Sequence, residues 1–271
     1  MSIPKLLVYR KFVDKTAAVT SMANIYNQNE YRYQIGRPER PQEENVVIII
    51  DPEIMTVFRR HVYFFAAVFC VLSMIPWIIV SATEYYVGEK CPVHPIVWIL
   101  IAFTCQTILS CFPQTRYSFP CNWILVLSVV IFLTLFGCYF IYSVIIEALL
   151  LSVLIAAVLL VILHLCGAHC PSSVLPNAVC TGCIYLLCFL TLIILAILML
   201  VLDDRIYGLI FAIVLFFLVV LMIPFSSQYI NGRLKYSPLP DTLGCSLGIF
   251  IYFIIMVLCL AAFRYYYLYY K

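Results

Sequence analysis

The sequence predicts an all-α protein, a multi-pass membrane bundle of seven transmembrane helices. The first observation is the composition: hydrophobic residues make up 65% of the 271 residues and charged residues 11%, whereas soluble domains have about 45–50% and about 25%. The mean hydropathy is +1.06, and a soluble fold could not cover its surface with so few charges. The second observation is that polar segments divide the chain into apolar runs, most of them about 20 residues long, the length that crosses a bilayer.

Residues 1–50 predict a disordered cytosolic tail. They are polar and lack a sustained apolar periodicity, and with the next ten residues they hold nine of the sixteen Lys and Arg. Arg59 and Arg60 directly precede the first apolar run. Because segments rich in Lys and Arg stay on the cytosolic side of a membrane, the sequence predicts a cytosolic N-terminus.

The membrane domain is predicted to occupy residues 51–271. Asp51-Pro52-Glu53 is typical of a helix start, and residues 52–60 are expected to form an interfacial lead-in to the first span. The apolar run 121–166 would measure about 69 Å as one helix, so it predicts two helices folded at about Tyr142-Ser143. The predicted spans are roughly 62–83, roughly 95–112, two within 121–166, one within 174–202, one within 206–225 and roughly 243–263. Six spans with a re-entrant segment is the alternative.

Glu147 is the one formally charged residue between positions 121 and 166. An ionisable group in a span is costly and is a functional candidate by default, here as an ion or proton site. The alternative is an interfacial carboxylate that reaches water, because Glu147 directly follows the predicted turn. Glu147 alone would be a poor calcium site, since calcium takes 6–8 oxygen ligands. His164 is expected to lie at the cytosolic interface.

A group of His and Cys residues near the ends of the fourth and fifth spans permits a zinc hypothesis. Its members are His164, Cys166, His169, Cys170, Cys180 and Cys183. The spacing of the first half fits no standard zinc finger, and palmitoylation of Cys166 or Cys170 is the preferred alternative. We therefore expect no metal and no cofactor. Enzyme motifs are absent from the sequence, and the charge distribution does not favour nucleic acid.

Several short motifs follow one another in order between positions 51 and 263. They are Phe58-Arg59-Arg60-His61-Val62-Tyr63, Pro120-Cys121-Asn122, Ile146-Glu147-Ala148, and Gln228 with Gly232, Ser237 and Pro238. They are similar to F-x-R-K-V-Y, H-P-W-N, T-E-A-V and D-T-Q…G…S-P-E-E of the transmembrane BAX inhibitor motif family. The chain resembles the Lifeguard branch of that family over roughly four-fifths of its length.

The chain departs from this family at two functional positions. The family has one aspartate at the end of the sixth helix and another in the seventh, a membrane-embedded pair linked to a proton-sensitive calcium leak. Here Ser226 stands at the first position, and an ungapped alignment places Ile251 at the second. The resemblance therefore implies a divergent member without the carboxylate pair.

By this resemblance we expect a Lifeguard-like protein of endoplasmic reticulum or Golgi membranes, with the plasma membrane as an alternative. It would modulate intracellular calcium homeostasis and negatively regulate apoptosis, without the paired-carboxylate leak and through membrane-protein partners. Two other functions stay open: a proton-coupled channel or transporter for another solute that uses Glu147, and a non-conducting membrane scaffold.

Overall fold

The structure, a computed structural model, describes residues 52–89, 93–169, 178–202, 205–232 and 241–270. Within these ranges the regular secondary structure is entirely helical. In chain order the α-helices are α1 (Pro52–Thr83), α2 (Pro95–Cys111), α3 (Pro113–Tyr117), α4 (Cys121–Ile141), α5 (Ile146–His169), α6 (Ala178–Leu202), α7 (Arg205–Ile230) and α8 (Thr242–Tyr270). The predicted tail, residues 1–50, lies outside the described residues.

Five helical segments are long and apolar enough to cross a membrane. They are Glu53–Thr83, Cys121–Ile141, Ile146–His169, Ile206–Ile230 and Thr242–Tyr266. Two shorter apolar segments, Pro95–Cys111 and Leu186–Met199, accompany them. The prediction of an all-α, multi-pass membrane bundle is confirmed. The count of seven spans stays a prediction, because five segments meet the length and composition of a crossing among the residues that the structure describes.

Helix α8 is the centre of the bundle. It packs against α1, α4, α5 and α7, whereas α2 packs on α4 and α6 packs on α7 at the periphery. Inside the protein, 56% of the α8 span is buried, against 22% of the α5 and α7 spans. Large apolar side chains on the outer faces of α5, α6 and α7 are exposed, as expected of surfaces that face lipid.

Two predicted helix boundaries are confirmed and one is wrong. Helix α1 begins at Pro52 and continues without a break to Thr83, so the interfacial lead-in and the first span are one helix. The long apolar run is divided after Ile141, and α5 begins at Ile146. The sixth span was predicted to end at 225, but α7 continues to Ile230 despite its internal Pro224. Membrane helices tolerate such a proline because neighbouring groups satisfy the freed backbone carbonyl.

A buried aromatic and hydroxyl cluster joins α1 to α4. The fully buried Trp77 donates from its indole nitrogen to the Thr134 carbonyl at 2.8 Å. The Ser73 and Thr134 hydroxyls lie 2.5 Å apart. Gly137 makes room for the Trp77 ring, since a Cβ there would overlap its six-membered edge. These contacts fix the packing of α1 against α4.

Candidate functional site

Several polar contacts between different helices lie at one end of the bundle, where α1 and α8 begin and α5 and α7 end. Arg59 of α1 donates to Asn231, just after α7, at 3.1 Å. The Ser246 hydroxyl of α8 donates to the Val62 carbonyl of α1 at 2.9 Å. We call this the polar end of the bundle, and the candidate functional site lies in it.

The central contact of the polar end is an ion pair between Arg116 of α3 and Asp241, the residue before α8. The Arg116 guanidinium donates from Nη2 to Oδ2 of the Asp241 carboxylate. The Asp241 side chain is 4% exposed and that of Arg116 is 33% exposed. It is the one ion pair in the described part of the chain. The pair attaches the short connection between α2 and α4 to the start of the central helix.

The sequence places the Asp241 carboxylate by helix capping. Asp241 is the N-cap of α8: its Oδ1 accepts from the Gly244 backbone N–H at 3.2 Å, and its carbonyl accepts from the Cys245 N–H at 3.1 Å. Aspartate is among the preferred N-cap residues, and its charge is stabilised at the positive end of the helix dipole. Gly244 leaves room for the carboxylate, because a Cβ at this position would collide with it. One carboxyl therefore both caps a helix and binds a cation.

Burial and pairing act in opposite directions on the Asp241 carboxyl. Burial raises its pKa, and the Arg116 guanidinium and the Gly244 N–H offset only part of that rise. The pKa of Arg116 is raised as well: burial opposes its charged form, but the bonded Asp241 carboxylate outweighs that effect. The guanidinium therefore stays charged throughout the physiological range, and the carboxyl is the member of the pair that can titrate.

A cavity of about 40 Å³ lies beside the ion pair. Its polar lining consists of Gln106, Ser110, Arg116, Asn122 and Asp241. The Gln106 Oε1 atom is buried and has no hydrogen-bond partner among the described residues. Because a water molecule needs only about 10–15 Å³ of such space, the cavity has room for water that would satisfy Gln106. The site can thus connect Asp241 to the aqueous phase.

A second group of polar side chains lies at the same end, between α5 and α7. The Ser227 hydroxyl donates to the His164 carbonyl at 2.7 Å, and Asn231 donates from Nδ2 to the Ser227 carbonyl at 2.8 Å. The edge of the Tyr63 ring meets the His164 ring at a centroid distance of 5.9 Å. The expected position of His164 at the cytosolic interface stays a prediction, but its side chain is 6% exposed and therefore packs inside the protein instead of extending into solvent. Its ring is held inside by a contact of 3.0 Å between Nδ1 and the Leu160 carbonyl.

Glu147, the ion or proton site candidate from sequence, lies in the first turn of α5. Its side chain is exposed. Because α5 ends at the polar end, the length of this helix separates Glu147 from it. A carboxylate in the first turn of a helix is stabilised by the helix dipole. This placement agrees with the interfacial alternative, and a functional role of Glu147 stays a prediction.

The residues that carry the family resemblance fall mostly at the polar end. Arg59 is half-buried, Arg60 and Pro120 are exposed, and Asn122 lines the cavity. Gly232 has a φ of +66° and ends α7 in the left-handed conformation that glycine adopts readily. Gln228 is 2% exposed, and its Nε2 has no partner among the described residues. Ser226 and Ile251, at the family's aspartate positions, are both half-buried; Pro238 lies outside the described residues.

The residues of the zinc hypothesis do not come together as a described group. Cys166 and Cys183 are exposed, and His169 contacts the Leu165 carbonyl of its own helix at 2.9 Å through Nδ1. Cys170 and the side chain of Cys180 lie outside what the structure describes. Among the described residues no group of three potential ligands could hold a metal ion. Palmitoylation of Cys166 or Cys170 remains an untested prediction.

Neither Arg116 nor Asp241 stands out in the sequence as a candidate site residue. The two residues are 125 positions apart, so no local pattern links them. One signal was present: Asp241 directly precedes the last apolar run, as expected of an N-cap. The partner of that carboxylate could be found only from the packing of α2, α4 and α8.

Fold and site together define the class of protein, a multi-pass α-helical membrane protein with one polar end. Comparisons of this chain with protein-family models, with curated proteins and with solved structures find no match.

Proposed function

We propose that this chain is a Lifeguard-like integral membrane protein that modulates intracellular calcium homeostasis and negatively regulates apoptosis. Its membrane is that of the endoplasmic reticulum or Golgi, and its N-terminus is cytosolic. The support is the order of motifs from 51 to 263 together with the multi-pass helical bundle. In this proposal the protein acts through membrane-protein partners and without a paired-carboxylate calcium leak.

The proposal that the protein has no paired-carboxylate calcium leak rests on the surroundings of Asp241. It is the one buried acidic residue in the described part of the chain, and its carboxylate binds the Arg116 guanidinium. The pair has no net charge when both groups are ionised. Calcium prefers sites with several carboxylate and carbonyl oxygens, and a guanidinium at one of the two carboxylate oxygens repels it. The polar end is therefore better suited to holding helices together than to binding calcium.

The position of the pair also suggests how partners would act. With a cytosolic N-terminus, the polar end faces the cytosol, and one third of the Arg116 side chain stays exposed there. A partner that contacts the connection between α2 and α4 would then contact the central helix indirectly through Asp241. A partner could act on the central helix in this way without any flux of calcium through the bundle.

The proposal is tested by removing the protein from cells and measuring two quantities. These are the calcium content of the endoplasmic reticulum, with a luminal calcium sensor, and survival after endoplasmic reticulum stress. We expect loss of the protein to change the calcium content and to lower survival, and the wild-type chain to restore both. If neither quantity changes on removal, the proposed role is wrong.

Rescue with Glu147→Gln separates this proposal from a proton-coupled transporter. The exposed Glu147 carboxylate should be dispensable for a protein that acts through partners, so the variant should rescue as the wild type does. Failure of a folded Glu147→Gln protein to rescue would favour the transporter. The Arg116→Gln variant is the matched test of the polar end, and we expect it to rescue poorly.

A further inference from the structure

Arg59 is held in a fixed orientation at the polar end of the bundle. Its Nη1 donates to Oδ1 of Asn231 at 3.1 Å, and its Nη2 donates to Oγ1 of Thr56 at 3.2 Å. Asn231 is itself fixed by its bond to the Ser227 carbonyl at 2.8 Å. A guanidinium has five N–H donors in a rigid fork. Two of them make these bonds, and the rigid fork fixes the direction of the other three donors.

The guanidinium groups of Arg59 and Arg116 have different surroundings. Arg116 is neutralised by Asp241 in the one ion pair of the described residues, whereas the bonds of Arg59 go to neutral side chains. Arg60 and His61, the next two residues of α1, are exposed. A fixed guanidinium at the edge of an apolar span favours an anionic partner, because water is scarce there and cannot screen it well.

The surface of α1 that follows Arg59 changes from cationic to aromatic to apolar. Tyr63 lies one turn further along and is 39% exposed, and the neighbouring Phe64 is 60% exposed. The distance from Arg59 to Phe64 is about 8 Å along the helix axis. A phospholipid presents a phosphate, then a glycerol, then acyl chains over a similar depth. Aromatic side chains of this kind lie at the level between headgroups and acyl chains.

We propose that Arg59, assisted by Arg60, binds the phosphate of an anionic phospholipid. The guanidinium donates to the phosphate oxygens, as arginine does in charge-assisted bidentate contacts. The acyl chains lie against Tyr63 and Phe64. Because Arg59 also bonds Asn231, the bound lipid ties the start of α1 to the end of α7 and stabilises the folded bundle by mass action.

Native mass spectrometry of the full-length, detergent-purified protein tests this site. Phosphatidylserine, phosphatidylcholine and inorganic phosphate are titrated separately. We expect phosphatidylserine to bind at least several-fold more tightly than phosphatidylcholine, and Arg59→Gln to weaken it about fivefold, since one Arg near the membrane surface contributes about 1 kcal/mol. Arg264→Gln, which changes an exposed arginine near the far end of α8, is the matched control and should bind like the wild type.

Three results would overturn the proposal. They are equal binding of phosphatidylserine by Arg59→Gln and the wild type, equal binding of the two lipids, and binding of inorganic phosphate as tight as that of the lipid, which would identify a soluble ligand. If Arg59→Gln does not fold, phenylglyoxal labelling of the wild-type protein decides. Phosphatidylserine in mixed detergent micelles should protect Arg59 and leave Arg264 reactive, and equal reactivity of Arg59 with and without this lipid contradicts the site.

Discussion

The carboxylate of Asp241 binds the guanidinium of Arg116 and at the same time caps α8 through the Gly244 N–H. One buried side chain thus connects the loop between α2 and α4 to the helix around which the bundle is built. The ion pair joins two segments that lie 125 positions apart in the sequence.

Arg116→Gln should destabilise the protein more than Asp241→Asn does. Removing the guanidinium leaves the nearly fully buried carboxylate unpaired, which costs about 3 kcal/mol. Asparagine at 241 still caps α8, and Arg116, which is 33% exposed, can turn to water, so that variant should cost about 1 kcal/mol. The free energy of unfolding in mild detergent at pH 7 measures both. An equal or larger loss for Asp241→Asn contradicts the burial argument.

The stability of the protein should depend on the protonation of Asp241. Its pKa in the folded protein is raised above the ordinary 3.8, so between these two values the folded state holds a proton that the unfolded state has released. The contribution of Asp241 to the free energy of unfolding is then fully present below pH 3.8. It is lost as the pH rises through the pKa of Asp241 in the folded protein.

Unfolding of the wild type and of Asp241→Asn at pH 3.5 and pH 7 measures this contribution. The free energy of unfolding of the wild type minus that of Asp241→Asn should fall as the pH rises. A difference that increases with pH would mean that Arg116 dominates over burial and lowers the pKa of Asp241.

Gly167→Ala should destabilise the packing of α5 against α7. A Cβ at Gly167 would lie 2.5 Å from the Pro224 carbonyl oxygen and 2.8 Å from the Ser227 Cβ, so the helices must separate, at about 1–3 kcal/mol. Gly248→Ala in α8 is the control, because a Cβ there meets nothing within 4 Å. Alanine should stabilise that helix by up to about 1 kcal/mol. Thermal unfolding of the two variants should shift in opposite directions, and a harmless Gly167→Ala would contradict the close approach.

Ser73→Ala should cost about 1 kcal/mol, because it removes the buried contact with the Thr134 hydroxyl between α1 and α4. Ser128→Ala is the matched control: the half-buried Ser128 bonds only the Ile124 carbonyl of its own helix among described residues, and its loss should leave stability within about 0.5 kcal/mol of the wild type. Chemical unfolding of the two variants distinguishes them. Equal stabilities would mean that the contact between Ser73 and Thr134 contributes nothing to the packing.

The fold was predictable because its signals are local. The length of the run 121–166 required a break, and the helices indeed separate at Ile141 and Ile146. Pro52 marked the first helix correctly. The predicted end of the sixth span at 225 was too early, since α7 continues through Pro224 to Ile230, and a proline is tolerated within a membrane helix.

The candidate site was largely unpredictable for the opposite reason. Arg116 and Asp241 lie in separate loops, and only the packing of the bundle brings them together. His164 illustrates the same limit: its position near a helix end suggested exposure, but contacts with Tyr63 and Ser227 from two other helices enclose it. The sequence identifies ionisable residues near the membrane, but it does not reveal which of them pack against one another.

Calcium efflux from liposomes containing the purified protein tests the central claim most directly. Efflux is measured at several pH values, beside a protein of the resembling family that has both intramembrane aspartates. Because the one buried carboxylate among the described residues is paired with Arg116, we predict no pH-gated calcium leak above that of protein-free liposomes. A pH-gated leak comparable to that of the comparison protein would contradict the account.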